Sequence, residues 1–248
     1  MGIALWVVVE NGAVGFETAS VADLATASQA QSKPFQPTPA TITFQGEDGN
    51  PALIDHTIVS SADPDYDWMN ETNHFKTYFS TDAFGNTDNI KYQVGDAALT
   101  FRTLQSLKVG GKDIGFDDLI PITDEEETIK KGKKLTKTKF SYPKIYQDKT
   151  KDIYLDAEYS INSERLLEEL VLNEYQDIQE ISQEFTLENC YFEEEESGQI
   201  NFYRKETKEL LFFIPEPVMY EKENAEEKNY GLHYEINQIS PDRYQLTK

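Results

Sequence analysis

Cysteine is almost absent: Cys190 is the single one in 248 residues. No intramolecular disulfide can form, and no zinc site can be assembled from thiolates. Histidine is nearly as scarce. His56, His74 and His233 stand far apart, with none of the i, i+2 or i, i+4 spacings that metal-binding pairs use. Positive charge is short as well, with 23 Lys and Arg against 45 Asp and Glu and a net charge of -22. Such a surface repels phosphate backbones and anionic bilayers, which argues against nucleic acid and membrane partners. No apolar run approaches the ~20 residues needed to span a bilayer, so no membrane insertion is expected. A G-x-S-x-G elbow and a glycine-rich phosphate loop are both missing, and no cofactor is expected.

Aromatic residues, in contrast, are plentiful: 14 Phe and 14 Tyr. Large rings suit pleated, half-buried surfaces and favour strands over helices. The clearest strand signal runs from Gly198 to Tyr220, GQINFYRKETKELLFFIPEPVMY. Apolar residues alternate through Ile200 and Phe202 and then run without a break from Leu210 to Ile214. Lys205-Glu-Thr-Lys208 sits where a hairpin loop belongs. Pro215 and Pro217 stop the second strand, because proline cannot donate to a sheet ladder. The pattern predicts the core hairpin of an all-β fold, an antiparallel β-sandwich in one or two subdomains.

The same stretch, continued through YEINQISPDRYQLT, resembles a segment of large secreted bacterial surface proteins of the RHS/YD-repeat, wall-associated type. NETNHFKTYFSTDAFGNTDNIKYQVGDAALTFR, from Asn70 to Arg102, resembles an upstream segment of those proteins. Together the two cover roughly residues 50 to 248 in the same order. The resemblance implies a β-rich region ahead of the repeats and a secreted or cell-surface location. Because the family pattern continues past this point, it also implies that the chain is a piece of a longer polypeptide.

In chain order, residues 1–40 read as an N-terminal β segment followed by a Pro- and Ala-rich linker. Ile3 to Val9, IALWVVV, is apolar and uncharged and reads as a first strand, as the end of a secretory signal, or as an added leader. Asn11-Gly12 marks a hairpin turn after it. Residues 41–129 read as a first β subdomain, 130–139 as a lysine-rich connection and 140–248 as a second β subdomain. Strands are predicted at 41–44, 52–60, 75–79, 90–94, 98–104, 140–146, 153–161, 181–187, 191–192, 230–236 and 243–247. Ser163 to Asp177 has helical propensity, but LLEELVL is assigned as a strand, since tertiary context overrides propensity in short stretches. The lysine-rich segment is read as solvated, the alternative being a basic site for an acidic polymer.

Candidate chemistry is sparse. Asp63, Asp65 and Asp67 have the i, i+2, i+4 spacing of a calcium loop, but Pro64 and the missing late glutamate break the pattern, and an Asx-rich turn is the alternative. Asp148, Asp152 and Asp156 would share one face if they lay on a single strand. Cys190 has acidic neighbours, which suits a small buried hydrophobe better than a nucleophile. These observations point away from an enzyme. They point toward a structural and assembly module that pairs sheet edges with protein partners or with copies of itself, with Ile3, Leu5, Val7 and Val9 as the interacting strand. A carbohydrate-binding or adhesive module using Trp68 and Tyr66 is the second reading, and a glycoside hydrolase the third.

Overall fold

The computed structural model describes residues 2–8, 43–45, 50–85, 88–119, 131–221, 224–229 and 231–248. The first half holds β1 (Gly2–Val8), β2 (Thr43–Gln45), β3 (Pro51–Leu53), β4 (Asp55–Ser60), β5 (Trp68–Thr72), β6 (Lys76–Phe79), β7 (Ile90–Val94), β8 (Ala97–Phe101), β9 (Ser106–Val109) and β10 (Lys112–Ile114). The short helix α1 (Phe116–Leu119) follows. Then come β11 (Lys133–Lys134), β12 (Lys139–Asp148), β13 (Ile153–Ile161), β14 (Arg165–Leu172), β15 (Ile178–Glu188) and β16 (Cys190–Glu194). The chain closes with β17 (Ile200–Arg204), β18 (Leu210–Ile214), β19 (Val218–Glu221), β20 (Asn224–Asn229), β21 (Glu235–Ser240) and β22 (Arg243–Thr247).

Among the described residues these strands form two ten-stranded antiparallel sheets and the small β2–β3 pair. One sheet contains β1, β11 to β14 and β16 to β20. The other contains β4 to β10, β15, β21 and β22. Within the second sheet, β8 and β9 lie end to end along one edge of β15, while β22 runs along the other. Main-chain bonds from Arg102 N to Glu184 O and from Gln105 N to Ser182 O carry the pairing across the gap between β8 and β9.

The two sheets face each other across one core, making an all-β antiparallel sandwich. Alternation is strict on β13 and β14, where every second residue is buried. That period of two buries one face of a strand. Aromatic pairs join the sheets along their length: Phe79 stacks on Phe140 with centroids 4.7 Å apart, and Tyr92 meets Phe212 edge-on at 5.2 Å. Farther along, Phe185 meets Phe202 at 6.5 Å.

The expected hairpin from Gly198 to Tyr220 is present as β17 and β18, with Ile200 opposite Ile214. LLEELVL is a strand. The division at residues 130–139 is not a division between sheets, because β15, β21 and β22 join the sheet that holds β4 to β10. Their core faces extend the same hydrophobic cluster, which spans both halves of the sequence. Residues 9–42, including Asn11-Gly12, and 120–130 lie outside the described residues.

A single shared core makes a testable demand. Ile214 is only 4% exposed. Ile214→Asp places a carboxylate there without a partner, at a cost of several kcal/mol against a total stability of about 5–15 kcal/mol. The variant is expected to lose the cooperative thermal transition of the whole chain by circular dichroism. A melt unchanged from the parent would place the β17–β18 hairpin outside the core.

Candidate functional site

The N-terminal strand occupies a slot built by three others. Along one edge of β1, Gly2 to Val8 pair in unbroken register with Val171 to Arg165 of β14. Along the other edge, Gly2, Ile3 and Ala4 pair with Tyr220, Met219 and Val218 of β19, and Val8 pairs with Phe213 of β18. Pro215 and Pro217 break the chain between β18 and β19, so the two short strands line up end to end. β1 is therefore an interior strand of its sheet. The register sets Ile3, Leu5 and Val7 opposite Leu170, Glu168 and Leu166, the buried positions of β14. Val9 lies outside the described residues.

Glu168 is the second feature of note. Its side chain and that of Lys248 are 1% and 2% exposed, and Lys248 Nζ lies 3.1 Å from Glu168 Oε2. Gln183 Nε2 donates to Glu168 Oε1 at 2.9 Å and to Thr103 O at 2.9 Å, while the Tyr159 hydroxyl donates to Oε1. Thr103 continues the chain: its Oγ1 lies 3.2 Å from Tyr159 Oη and accepts from Asn89 Nδ2 at 2.6 Å. Tyr159 and Glu168 belong to one sheet, whereas Thr103, Gln183 and Lys248 sit on the other. The network is a polar staple through an apolar core. Burial lowers the pKa of Lys248, with the Glu168 carboxylate acting the other way. Both oxygens of Glu168 have partners, and neither of the described cavities is lined by it. The arrangement fastens two sheets and offers no reactive group to a substrate.

The residues singled out from sequence are scattered. Asp63 Oδ1 accepts from Asp65 N at 3.0 Å, which is an Asx turn. Asp67 Oδ2 instead accepts from Thr81 N and Oγ1 at 2.7 and 2.8 Å, fastening one loop to the next. Among the described residues no group of three or more His, Cys, Asp and Glu side chains is placed to hold a metal ion. Asp148, Asp152 and Asp156 do not share a strand face, because the turn between β12 and β13 intervenes. Asp148 caps Thr150, whereas Asp156 Oδ1 accepts from Lys144 N in the β12 bulge.

His56, His74 and His233 sit on β4, on the β5–β6 turn and ahead of β21. Burial lowers the pKa of His74. Cys190 is buried with Sγ 3.5 Å from Ala98 O, and burial pushes its thiol up to about 11, so it is not a nucleophile at neutral pH. Trp68 and Tyr66 are half-buried: Lys134 Nζ covers the Trp68 ring at 5.3 Å, and Tyr66 leans on Tyr78 at 5.5 Å. They do not form an open aromatic platform. No described helix is long and apolar enough to cross a membrane.

Two outcomes follow from the buried groups. Lys248→Met leaves the buried Glu168 carboxyl without its cationic partner, and is expected to cost about 3–5 kcal/mol in urea melts. Adding Glu168→Gln, which removes the charge but keeps an acceptor for Tyr159 and Gln183, is expected to recover most of it. A double variant as unstable as the single one would show that the ion pair is not the source of the loss. The second outcome concerns pH. Burial raises the pKa values of Tyr92, Tyr142, Tyr159 and Tyr234 well above 10.0. Their contribution is complete below the unfolded value and is lost as pH rises through the raised folded values. Tyrosinate absorbance from these residues should therefore appear together with the loss of near-ultraviolet circular dichroism. Ionisation of all 14 tyrosines with the circular dichroism intact would show that the core is open to water.

No protein-family model matches the chain, and neither does any curated protein or solved structure.

Proposed function

We propose that the chain is a non-enzymatic structural and assembly module that works through main-chain strand pairing. The observation that carries this reading is the position of β1, which is paired on both edges by strands more than 150 residues away in sequence. Remove it, and β14 on one side and β18 with β19 on the other become unpaired edges. Unpaired edges recruit strands, and strand addition supplies affinity through backbone bonds. The 34 residues from 9 to 42 separate β1 from β2. Fully extended they reach at most about 110–120 Å, long enough to serve the slot of the same chain or that of a neighbouring copy. The outer edges differ in character. β16 carries exposed Glu193 and Glu194, and charge of this kind discourages pairing, while β4 and β21 present Val59 and Ile239 to solvent.

A secreted or cell-surface setting in a bacterial protein of the RHS/YD-repeat, wall-associated kind belongs to the same proposal and rests on the sequence resemblance. Scaffolding through sheet edges and protein contacts suits that setting. A strongly acidic surface keeps such a module soluble.

The test is deletion of residues 1–18. The truncated chain is expected to melt at least about 10 °C lower, or to associate through its open slot. A synthetic peptide of residues 2–8 flanked by lysines should bind it and restore the melting temperature. If the truncated chain keeps both its melting temperature and its size distribution and ignores the peptide, strand pairing is not what the segment does.

A further inference from the structure

At one end of the sandwich the chain crosses from β14 in one sheet to β15 in the other through residues 173–177. Beside this crossing lies a groove of about 920 Å³, bounded by the β9–β10 turn and α1 on one side and the β12–β13 turn on the other. Its size is near the top of the roughly 300–1,000 Å³ found for small-molecule sites. We propose that this groove binds a neutral, hydroxyl-rich oligosaccharide, with Tyr175 as the stacking ring and Tyr146, Gln176 and flanking aspartates as hydrogen-bond partners. The proposal is independent of strand pairing by β1.

Three observations carry it. The first is Tyr175, which lines the groove at 73% exposure, the most exposed of the large hydrophobic side chains described. The segment that holds it is fastened at both ends. Asn173 Oδ1 accepts from Tyr154 N at 2.7 Å and its Nδ2 donates to Asp152 O at 2.9 Å. Beyond Tyr175, Asp177 O accepts from Gly110 N at 2.8 Å. Gly110 and Gly111 both have positive φ, so the turn that approaches Asp177 requires residues without a Cβ penalty. A ring set on an anchored segment loses little freedom when a ligand stacks on it.

The second observation is an unfilled acceptor. Gln176 donates through Nε2 to Tyr146 Oη at 3.3 Å, while its Oε1 is buried without a partner. A buried polar atom left unpaired is costly, and a turn of the Gln176 amide toward the groove would let a ligand donor satisfy it. Tyr146 Oη, which already accepts from Gln176, still has its own proton to donate. A sugar hydroxyl both donates and accepts, so one such group can complete this pair.

The third is charge. Lys112, Lys149 and Lys151 line the groove with Asp118, Asp148 and Asp177, three of each sign on a chain of net charge -22. A polyanion gains nothing here that the rest of the surface does not repel, and the lysines offset the attraction for a cation. The carboxylates remain as acceptors for hydroxyl groups. Asp148 in particular is held below the usual carboxylate range by donation from Thr150. That suits a hydrogen-bond acceptor.

The experiment titrates the full chain by calorimetry with four neutral hexasaccharides: β-1,4-glucan, β-1,3-glucan, α-1,4-glucan and β-1,4-linked N-acetylglucosamine. At least one is expected to bind with a Kd of about 1 mM or tighter. Tyr175→Ala should weaken it about ten-fold or more while leaving the melting temperature unchanged, Tyr175→Phe should retain it, and Gln176→Met should weaken it several-fold. Binding should change less than about two-fold between low and high salt, because no net charge is neutralised. The proposal is overturned if none of the four binds, or if Tyr175→Ala binds as well as the parent. It is also overturned if heparin or a neutral Gly-Ser decapeptide binds more tightly than every glycan, or if incubation releases new reducing ends.

Discussion

The backbone ladders on the two edges of β1 are the constraint on which the first sheet depends. Without β1 that sheet is three pieces, β11 to β14, β16 to β18, and β19 with β20, with nothing else in the described register joining them edge to edge. Fixing seven backbone residues costs roughly 7–14 kcal/mol in conformational entropy. Ladder bonds return only about 0.5–1.5 kcal/mol each. Hydrogen bonding alone therefore barely balances the ordering of the strand, and the remainder must come from its composition. IALWVVV suits a strand paired on both edges, with β-branched and aromatic residues, no charge and no proline. In the proposed assembly role, a strand held this way is one that an equivalent strand from another molecule would replace.

The second sheet is tied to the first by two different means. The aromatic stacks Phe79–Phe140 and Tyr92–Phe212 supply area and shape. The network of Glu168, Lys248, Gln183 and Tyr159 supplies direction, because hydrogen bonds fix one relative position of the sheets where rings would allow several. A buried ion pair of this kind is weak evidence of added stability, since desolvation offsets much of the attraction. Arg243 repeats the theme nearer the surface. It reaches Glu184 at 2.6 Å within its own sheet and Asp88 at 3.2 Å in the loop before β7.

Much of the fold is legible because period-two burial leaves a direct mark on the sequence. β13 and β14 show it plainly, and β14 is a strand despite strong helix formers because its alternate residues face the core and both its edges are paired. β5, WMNET, carries no such mark and is absent from the strands that the sequence predicts. Asn70 within it is fully buried and acts as a main-chain substitute, accepting from Thr77 N at 2.6 Å and donating to Phe75 O at 3.3 Å. A polar residue in the core breaks the hydrophobic pattern by which a strand is recognised. Near the end of the chain the pattern predicts a strand at residues 230–236, whereas the strands are Asn224–Asn229 and Glu235–Ser240. Leu232 and Tyr234 pack on the core from the segment between them, so their apolar character reports packing and not pairing. The pairing of Glu168 with Lys248 leaves no local trace at all. Eighty residues separate them, and either one looks like an ordinary surface charge.

The balance of charge also explains why the groove beside Tyr175 differs from its surroundings. With 23 cationic side chains against 45 acidic ones, most of the surface is under-compensated. Several cations are committed to fixed contacts: Lys248 and Arg243 in the network and cluster above, Lys205 on Asp242, Arg204 on Asp96, and Lys108 on Glu180. Those contacts join strand to strand or turn to turn, and serve the fold. Around the groove, lysines and aspartates converge in equal number, with Lys151 and Asp148 3.7 Å apart. Local neutrality on an acidic molecule is not required for folding, since the turns that carry these residues are already held by main-chain bonds. In the proposed site it removes the repulsion that the remaining surface would impose and leaves short-range stacking and hydrogen bonding to select the glycan.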